Sequence, residues 1–416
     1  MRIESSSGNQ PVPKALDRRT VWIIFPLGFL TMLPVTGVVP ILRQLIFEYY
    51  DVGEFAASSF MSVNMIGALL GAPLLGWWAD RKKNHLNLLV FCAVLDGLLW
   101  WLMTYRPPFA MLILARLLEG ASHAGVMTML MGLMGHLSEE HGRRARMAGM
   151  GGAIMFGIAA GSPLGGVLGK YDVLLPLKAG SAIMLFVACA GLYLAFDKRV
   201  ARAIRTMGQV AKPEKIPFRL PKLRIKPGFR LPYLFGFVDR FTVGVFIIAF
   251  TMYAAHLGHD SKTIGFLIGA FMIPFAALSY PMGKLAETLG LWRFVLAGSW
   301  LFGLAYAGIP WISGGWLWVN MGVCGVLSAV MFGPNLMLVA AASSPENRAS
   351  AMAGFNAAGA VGFLLGPLLA GALFQVLKNT GSPEFVFRVV FACAGGTEIL
   401  CVAWGVYRLR TSRDPR

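Results

Sequence analysis

The feature that most constrains this chain is a succession of twelve apolar stretches, each about 20 residues long or longer. A helix of about 20 apolar residues crosses a lipid bilayer, and a helix satisfies its own backbone hydrogen bonds there. We place the spans near residues 20–44, 56–79, 86–105, 108–136, 146–169, 173–196, 232–256, 262–283, 292–310, 315–341, 349–376 and 384–408. The sequence therefore predicts an all-α membrane protein with 12 transmembrane helices, and its 416 residues leave no room for a large soluble catalytic domain.

The charge of the chain has the distribution expected of a membrane protein. Only 14% of the residues are charged, yet 37 Lys and Arg against 20 Asp and Glu give a net charge of +17. In a soluble protein that excess would suggest nucleic acid. Here the basic residues concentrate in the tails and the even-numbered connections, which places both termini in the cytoplasm. We expect a multi-pass protein of the plasma (inner) membrane, in contact with lipid and not with nucleic acid.

One basic segment divides the apolar pattern into two halves. We predict an N-terminal tail over 1–19, six-helix halves over 20–196 and 232–408, a basic cytoplasmic linker over 197–231 and a C-terminal tail over 409–416. Four prolines prevent a long helix in the second part of the linker. Its first part, 197–210, could form an amphipathic helix on anionic lipid or be a solvated linker that enforces topology.

The two halves repeat one another. Each repeated motif occurs a second time after a displacement of about two hundred residues. The pairs are Gly76-x-x-x-Asp80 with Gly283-x-x-x-Glu287, Arg143-x-x-x-Met147-Ala148-Gly149 with Arg348-x-x-x-Met352-Ala353-Gly354, and Gly157-x-x-x-Gly161 with Gly362-x-x-x-Gly366. Duplicated six-helix halves around a central site are typical of transporters that rock between two orientations.

The motifs resemble those of the major facilitator superfamily over essentially the full length. The family's loop signature between the second and third helices is similar to 76–83, and its fourth-helix signature, built around an Arg and a Gly, is similar to 114–120. The stretches 157–166 and 27–40 resemble the fifth- and first-helix patterns of the twelve-helix drug:proton antiporter branch, with Ser162 inserted between Gly161 and Pro163. The resemblance implies two pseudo-symmetric six-helix halves, a small-molecule substrate, protons as coupling ion and a monomer.

Ionisable residues inside the spans are candidates for proton coupling, because a charge at the bilayer centre needs a partner or a wet cavity. Arg116, Glu119 and His123 share one face of the fourth helix by their spacing. Asp96 lies at the same depth in the third, so either Asp96 or Glu119 could neutralise Arg116. The pair could be a permanent packing element or could exchange on protonation. The resemblance assigns the arginine a role in coupling.

The C-terminal half holds three more ionisable residues. Counted from Pro232, Asp239 lies about 10 Å into the seventh helix, as a candidate proton or cation site or as a gate ion pair. Adjacent helical residues point about 100° apart, so we expect Asp239 and Arg240 to have different partners. For Glu398, in the twelfth helix, we expect a packing or subunit-contact role.

Two further groups follow from the repeats. Small residues every fourth position let helices approach closely, which predicts a helix-packing seam along Gly157, Gly161, Pro163, Gly165, Gly362 and Gly366. The matched carboxylates at helix ends predict cytoplasmic-gate ion pairs that stabilise an outward-open state, formed among Asp80, Arg81, Glu287, Arg143 and Arg348.

The substrate and the driving force are less constrained. Amides, aromatics and Met suit an amphipathic solute, and the candidate cavity residues are Asn64, Tyr253, Phe271, Met331, Asn335 and Asn356. No G-x-x-x-x-G-K phosphate loop and no C-x-x-C pair occurs, so we expect no enzyme, no cofactor and no metal. The sequence favours proton-coupled efflux of a hydrophobic or amphipathic molecule by a secondary active transporter. The alternatives are an uptake symporter or uniporter for a metabolite or lipid and, more distantly, a non-transporting sensor or enzyme.

Overall fold

The computed structural model describes residues 18–82, 85–136, 140–197, 200, 227–343 and 348–411. Within these ranges the chain forms twelve α-helices and no β-strand. The helices are α1 Arg18–Gly37, α2 Glu54–Lys82, α3 His85–Leu102, α4 Phe109–His136, α5 Glu140–Tyr171, α6 Leu175–Phe196, α7 Pro227–His256, α8 Ser261–Leu289, α9 Leu291–Ala307, α10 Gly315–Ala341, α11 Arg348–Leu377 and α12 Pro383–Thr411. The all-α fold class is confirmed. The segment 197–210, for which an amphipathic helix was one of two alternatives, lies outside the described residues except at 197 and 200.

Helix lengths agree with membrane crossing. Eleven of the described helices are long and apolar enough to span a bilayer. The exception is α9, which has 17 residues and is followed by a 3-10 turn, Ile309–Trp311. Together they reach about 30 Å, the thickness of the hydrocarbon core.

Two predicted boundaries were wrong. The first span was expected to continue to residue 44, but α1 ends at Gly37, and a 3-10 turn, Val39–Ile41, and a π-helix, Gln44–Tyr49, follow. Pro40 lies in that turn, where it cannot donate a backbone hydrogen bond to a continuing α-helix. In addition, α7 begins at Pro227 and contains Pro232. Asp239 therefore lies about 18 Å into the helix instead of 10 Å.

The helices pair identically in the two halves. In the first, α1 packs on α5, α2 on α4 and α3 on α6; in the second, α7 packs on α11, α8 on α10 and α9 on α12. Each pair of the second half thus corresponds to a pair of the first, six helices later. This packing agrees with the repeated sequence motifs.

Small residues form the closest of these contacts. Gly157 and Gly161 of α5 lie against the backbone carbonyls of Phe29 and Leu33 of α1. Gly165 lies on Gly37. In the second half, Gly362 and Gly366 of α11 meet the backbone of α7 at Phe237 and Phe241 in the same way. A larger side chain at these glycines would push the helices apart.

Contacts between the halves lie toward the face of the bundle opposite the described ends of the chain. There α5 packs on α8 and α2 on α11, with Pro163 against Gly269. The Ser261 hydroxyl donates to the Gly166 carbonyl at 3.3 Å. We call this the distal face, and the face where α1 begins and α12 ends the terminal face.

Toward the terminal face, α5 leaves open space beside it. Gly166 directly abuts Gly265 of α8. Gly152 lies about four turns earlier on nearly the same face of α5. A Cβ at Gly152 would meet nothing within 4 Å. The face of α5 that packs on the other half at the distal face is therefore unpacked at Gly152, nearer the terminal face.

The seam predicts that substitution of two glycines of one helix will affect stability differently. A Cβ on Gly161 would lie 2.6 Å from the Leu33 carbonyl oxygen, so Gly161→Leu should destabilise the fold by about 1–3 kcal/mol. Gly152→Leu is the matched control and should leave the melting temperature unchanged. Thermal unfolding of the purified variants measures both, and equal melting temperatures would show that the seam is not tightly packed.

Candidate functional site

A buried ion pair lies at the centre of the N-terminal half. An Nη atom of Arg116 donates to Oε2 of Glu119 at 2.7 Å, one turn apart on α4. The Asn64 amide, from α2, donates to the same oxygen at 2.5 Å. Charge-assisted hydrogen bonds of this kind are stronger than neutral ones. Of the two carboxylates that could neutralise Arg116, the structure selects Glu119.

Arg116 also contacts uncharged groups, which do not neutralise it. Its Nε donates to the Phe60 carbonyl at 3.3 Å. The guanidinium carbon lies 4.4 Å from the ring centroid of Phe60 and 5.3 Å from that of Trp100. Aromatic faces attract cations, more strongly when both are removed from water. The site therefore positions Arg116 independently of Glu119.

Asp96, the other carboxylate, pairs with histidine. His123 Nδ1 and Asp96 Oδ2 are 3.0 Å apart, and the carboxylate is fully buried. His123 Nε2 has no hydrogen-bond partner among the described residues. In a neutral His123 the Nδ1–H group would donate a hydrogen bond to Asp96, and the unprotonated Nε2 could then bind a proton.

These four groups form one cluster, which becomes neutral when it binds one proton. With both carboxylates ionised, Arg116 charged and His123 neutral, the net charge is −1. Because a net charge in a low-dielectric interior is costly, the cluster is suited to bind one proton. Asp96, Glu119 and His123 also bring ligand atoms within 4.8 Å of one another, as a metal site would. Glu119 Oε2, however, already accepts from Arg116 and Asn64.

The expectation of different partners for Asp239 and Arg240 was wrong. Arg240 Nε lies 3.6 Å from Asp239 Oδ2. The long arginine side chain curls back along the helix surface, so the 100° between adjacent residues does not separate their charged ends. The guanidinium stacks over Phe332, 4.5 Å from its centroid, and lies 5.5 Å from that of Phe363. Neither Asp239 oxygen has a hydrogen-bond partner among the described residues.

The proposed cavity residues are not brought together. The Asn335 amide donates to the Pro232 carbonyl, near the start of α7, whereas Tyr253 lies about 30 Å further along that helix. Tyr253, Phe271 and Met331 are buried in the C-terminal half, Asn64 binds Glu119, and Asn356 is exposed. Residue type alone does not decide which face of a helix points inward, and the grouping of these residues around a substrate stays a prediction.

The terminal-face gate remains a prediction. The side chains of Asp80, Arg143 and Arg348 are outside the described part of the structure. Arg81 lies over the Trp77 ring, 5.3 Å from its centroid, and Glu287 is exposed near the end of α8. Since α5 is unpacked at Gly152, nearer this face, pairs between the halves would belong to another conformation.

At the distal face an ion pair that we did not predict joins the halves. Lys170 Nζ, at the end of α5, lies 3.2 Å from Asp260 Oδ2. Asp260 also caps α8, accepting from the backbone N–H of Thr263 at 2.9 Å and its hydroxyl at 2.6 Å. These bonds from Thr263, with Lys170, lower the pKa of Asp260 to about 2. The cap is visible in the sequence, but the pairing with Lys170 depends on how the halves dock.

The two roles of Asp260 can be separated by mutation. Asp260→Ala removes cap and ion pair and should cost about 1 kcal/mol of stability at neutral pH, whereas Lys170→Met removes only the ion pair and should cost less. Because the folded pKa is lowered, the stabilisation is complete above pH 4 or so and is lost as pH falls toward 2. Melting temperatures across this range measure it. A difference between wild type and Asp260→Ala that does not change with pH would contradict the assignment.

Comparison with known proteins provides context for this arrangement. The profile of the Major Facilitator Superfamily matches residues 24–238 and 232–416. The chain is 22% identical over 368 residues to multidrug resistance protein 2 of Bacillus subtilis (strain 168), covering 86% of this chain and 90% of that protein. It is 24% identical over 371 residues to quinolone resistance protein NorA of Staphylococcus aureus (strain MRSA252), with coverage of 86% and 90%.

Solved structures share the fold at low sequence identity. The nucleoside transporter NupG superposes with a TM-score of 0.72 at 12% identity, covering 94% of this chain and 99% of that one. A bacterial homolog of the human lysosomal transporter Spinster, in an inward-facing and unoccupied conformation, gives a TM-score of 0.66 at 14% identity, with coverage of 94% and 95%.

Proposed function

This chain belongs to the major facilitator superfamily, and we propose that it exports a hydrophobic or amphipathic small molecule in exchange for protons. Family membership makes it a multi-pass membrane transporter and not an enzyme. Two relatives that align over most of its length are named for resistance to drugs or quinolones, which supports efflux. Proton coupling rests on the site.

The observation that carries the proposal is the buried cluster of Asp96, Arg116, Glu119 and His123. Its charge is −1 with a neutral histidine and zero after one proton has bound. A proton on Glu119 would weaken the bond to Arg116, and a departing Arg116 would in turn favour protonation of Glu119. Proton uptake and a change of ion-pair partner are thus linked within one buried group, as coupling requires.

The conformation of the bundle supports assigning this structure to one step of the proposed transport cycle. If the termini are cytoplasmic, as the basic residues predict, the halves meet at the outer face, and α5 is unpacked at Gly152, nearer the cytoplasm. The Arg116–Glu119 pair is formed, which corresponds to an ionised Glu119. An exporter in this state has released its proton inward and can accept substrate from the cytoplasm or inner leaflet.

The substrate class follows from the surroundings of Arg240. Phe332 and Phe363 are partly exposed on α10 and α11, with the Arg240 guanidinium between them. Arg240 is neutralised by Asp239, and Arg116 by Glu119. Since neither arginine is free for a highly charged ligand, this composition favours an apolar or amphipathic one.

Neutral substitutions of the acidic residues test the coupling. Glu119→Gln or Asp239→Asn should reduce gradient-driven transport in proteoliposomes to background, because each variant lacks one carboxyl group that the proposed proton exchange needs. Substrate exchange without a pH gradient should remain largely intact, because it needs no net proton movement. Glu384→Gln is a control, since that carboxylate pairs with His256 at the distal end. Unchanged uphill transport in both variants would exclude them as proton carriers.

The matched carboxylates Asp80 and Glu287 support a second proposal, a gate at the terminal face. A surface ion pair contributes about 0–1 kcal/mol, more when the closed gate excludes water. When two conformations of a carrier differ by only a few kcal/mol, the loss of such a pair changes their populations strongly. Asp80→Asn should therefore shift the protein toward the state seen here and slow turnover, and Glu287→Gln should do so more weakly.

Cysteine labelling measures this shift. A single reporter cysteine at the terminal-face mouth, in a background without the five native thiols, should react faster in Asp80→Asn than in the otherwise unchanged protein. Equal labelling rates would show that Asp80 is only a solvated loop charge.

A further inference from the structure

A second buried carboxyl group lies in the C-terminal half, on α12. Glu398 is 0% exposed, which agrees with packing and not with subunit contact, the two roles expected from the sequence. Its Oε1 lies 3.1 Å from the Thr242 hydroxyl of α7. Its Oε2 has no hydrogen-bond partner among the described residues. A carboxylate whose partners are uncharged hydroxyls would be an uncompensated charge in the interior.

The hydrogen bonds of Thr242 indicate which group carries the proton. The Thr242 oxygen lies 3.0 Å from the Val238 carbonyl, 2.9 Å from the Asp239 carbonyl and 3.1 Å from Glu398 Oε1. A hydroxyl has one hydrogen to donate and two lone pairs with which to accept. In helices that hydrogen commonly goes to the carbonyl one turn earlier. The contact with Glu398 is then a hydrogen bond only if the carboxyl group is the donor.

The charges facing Glu398 come from several helices. Helix α7 contributes Asp239, whose negative charge acts on Glu398, and Arg240, which is paired with Asp239. Helix α9 contributes Tyr306, whose hydroxyl donates to the Thr242 carbonyl at 3.2 Å, and Ser299, whose uncharged hydroxyl is a second hydrogen-bond partner of Glu398. On α12 itself the Cys401 thiol is nearby. Among these described groups Arg240 is the only cation, and it is paired with Asp239.

The balance of charge parallels that of the first half. With Glu398 ionised, Asp239, Arg240 and Glu398 would together carry −1, and one proton makes the group neutral. We infer that Glu398 holds a proton in this conformation and forms with Asp239 a second proton-binding site, one half of the molecule away from the Arg116–Glu119 cluster. Its use in transport rests on the proposed function, whereas its occupancy by a proton is a property of the fold alone.

Infrared spectroscopy of the purified protein in lipid tests the occupancy directly. The carbonyl stretch of a protonated carboxyl group absorbs above the amide I band and moves to lower frequency in heavy water. We expect such a band at neutral pH in the wild type, its loss in Glu398→Gln and its retention in Glu384→Gln, which alters an exposed carboxylate. Identical spectra for wild type and a folded Glu398→Gln would overturn the assignment.

Variants of Thr242 keep the test decisive if Glu398→Gln does not fold. Thr242→Val has the same shape but no hydroxyl to accept the proton of Glu398, so the band should shift to higher frequency. Thr242→Ser keeps the hydroxyl and should leave the band in place. A band that is unmoved in Thr242→Val, or absent from the wild type, would contradict a proton on Glu398.

The role in transport has a separate measurement. A pH dye in weakly buffered detergent solution counts the protons released when substrate binds. Since Glu119 is already ionised in this conformation, a wild type that uses Glu398 in the cycle should release about one proton per substrate bound, and Glu398→Gln should release none. Equal release by the two proteins would overturn the role in coupling. Failure of the proposed export would appear instead as an absence of pH-driven transport, with the infrared band unchanged.

Discussion

The cost of a charge inside the bilayer is the constraint on which this structure depends. Arg116 and Glu119 are both buried, and each is bound by the other and by polar or aromatic groups from α2, α3 and α4. Removing one partner of such a pair leaves an uncompensated buried charge, which costs about 3–5 kcal/mol. In the proposed cycle a proton or another carboxylate replaces one partner of the pair, which water cannot do. The state of the pair would then depend on the proton supply, as the proposed coupling requires.

The fold supplies the two other requirements of a carrier. Glycines at Gly161 and Gly362 let α1 and α5, and likewise α7 and α11, pack backbone to backbone, so each half can move as a unit. The halves themselves meet at the distal face, through α5 on α8 and α2 on α11, with Lys170 paired to Asp260. Two halves that each hold together and meet toward one face are the arrangement in which rigid-body rocking gives alternating access.

Sequence predicted the fold more completely than the site. Apolar stretches and the repeated motifs around Gly157 and Gly362 predicted the all-α fold and the family, and both are confirmed. The partner of Arg116 stayed undecided because Asp96 and Glu119 lie at similar depth, and only the packing of α3 on α4 gives Asp96 to His123. Thr242 and Glu398 are 156 residues apart, so their contact cannot be derived from local spacing. The candidate cavity residues were chosen by residue type, which does not specify the face that a helix buries, and the structure distributes them over several parts of the bundle.

The central claim is that substrate moves outward in exchange for protons, and transport by the wild-type protein tests it most directly. In proteoliposomes with an acidic lumen, the molecules whose terminal face points outward should accumulate an amphipathic substrate while the lumen becomes more alkaline. Collapse of the pH gradient by an ionophore should abolish both changes. Accumulation that persists after the gradient has collapsed, or that leaves the luminal pH unchanged, would contradict the account.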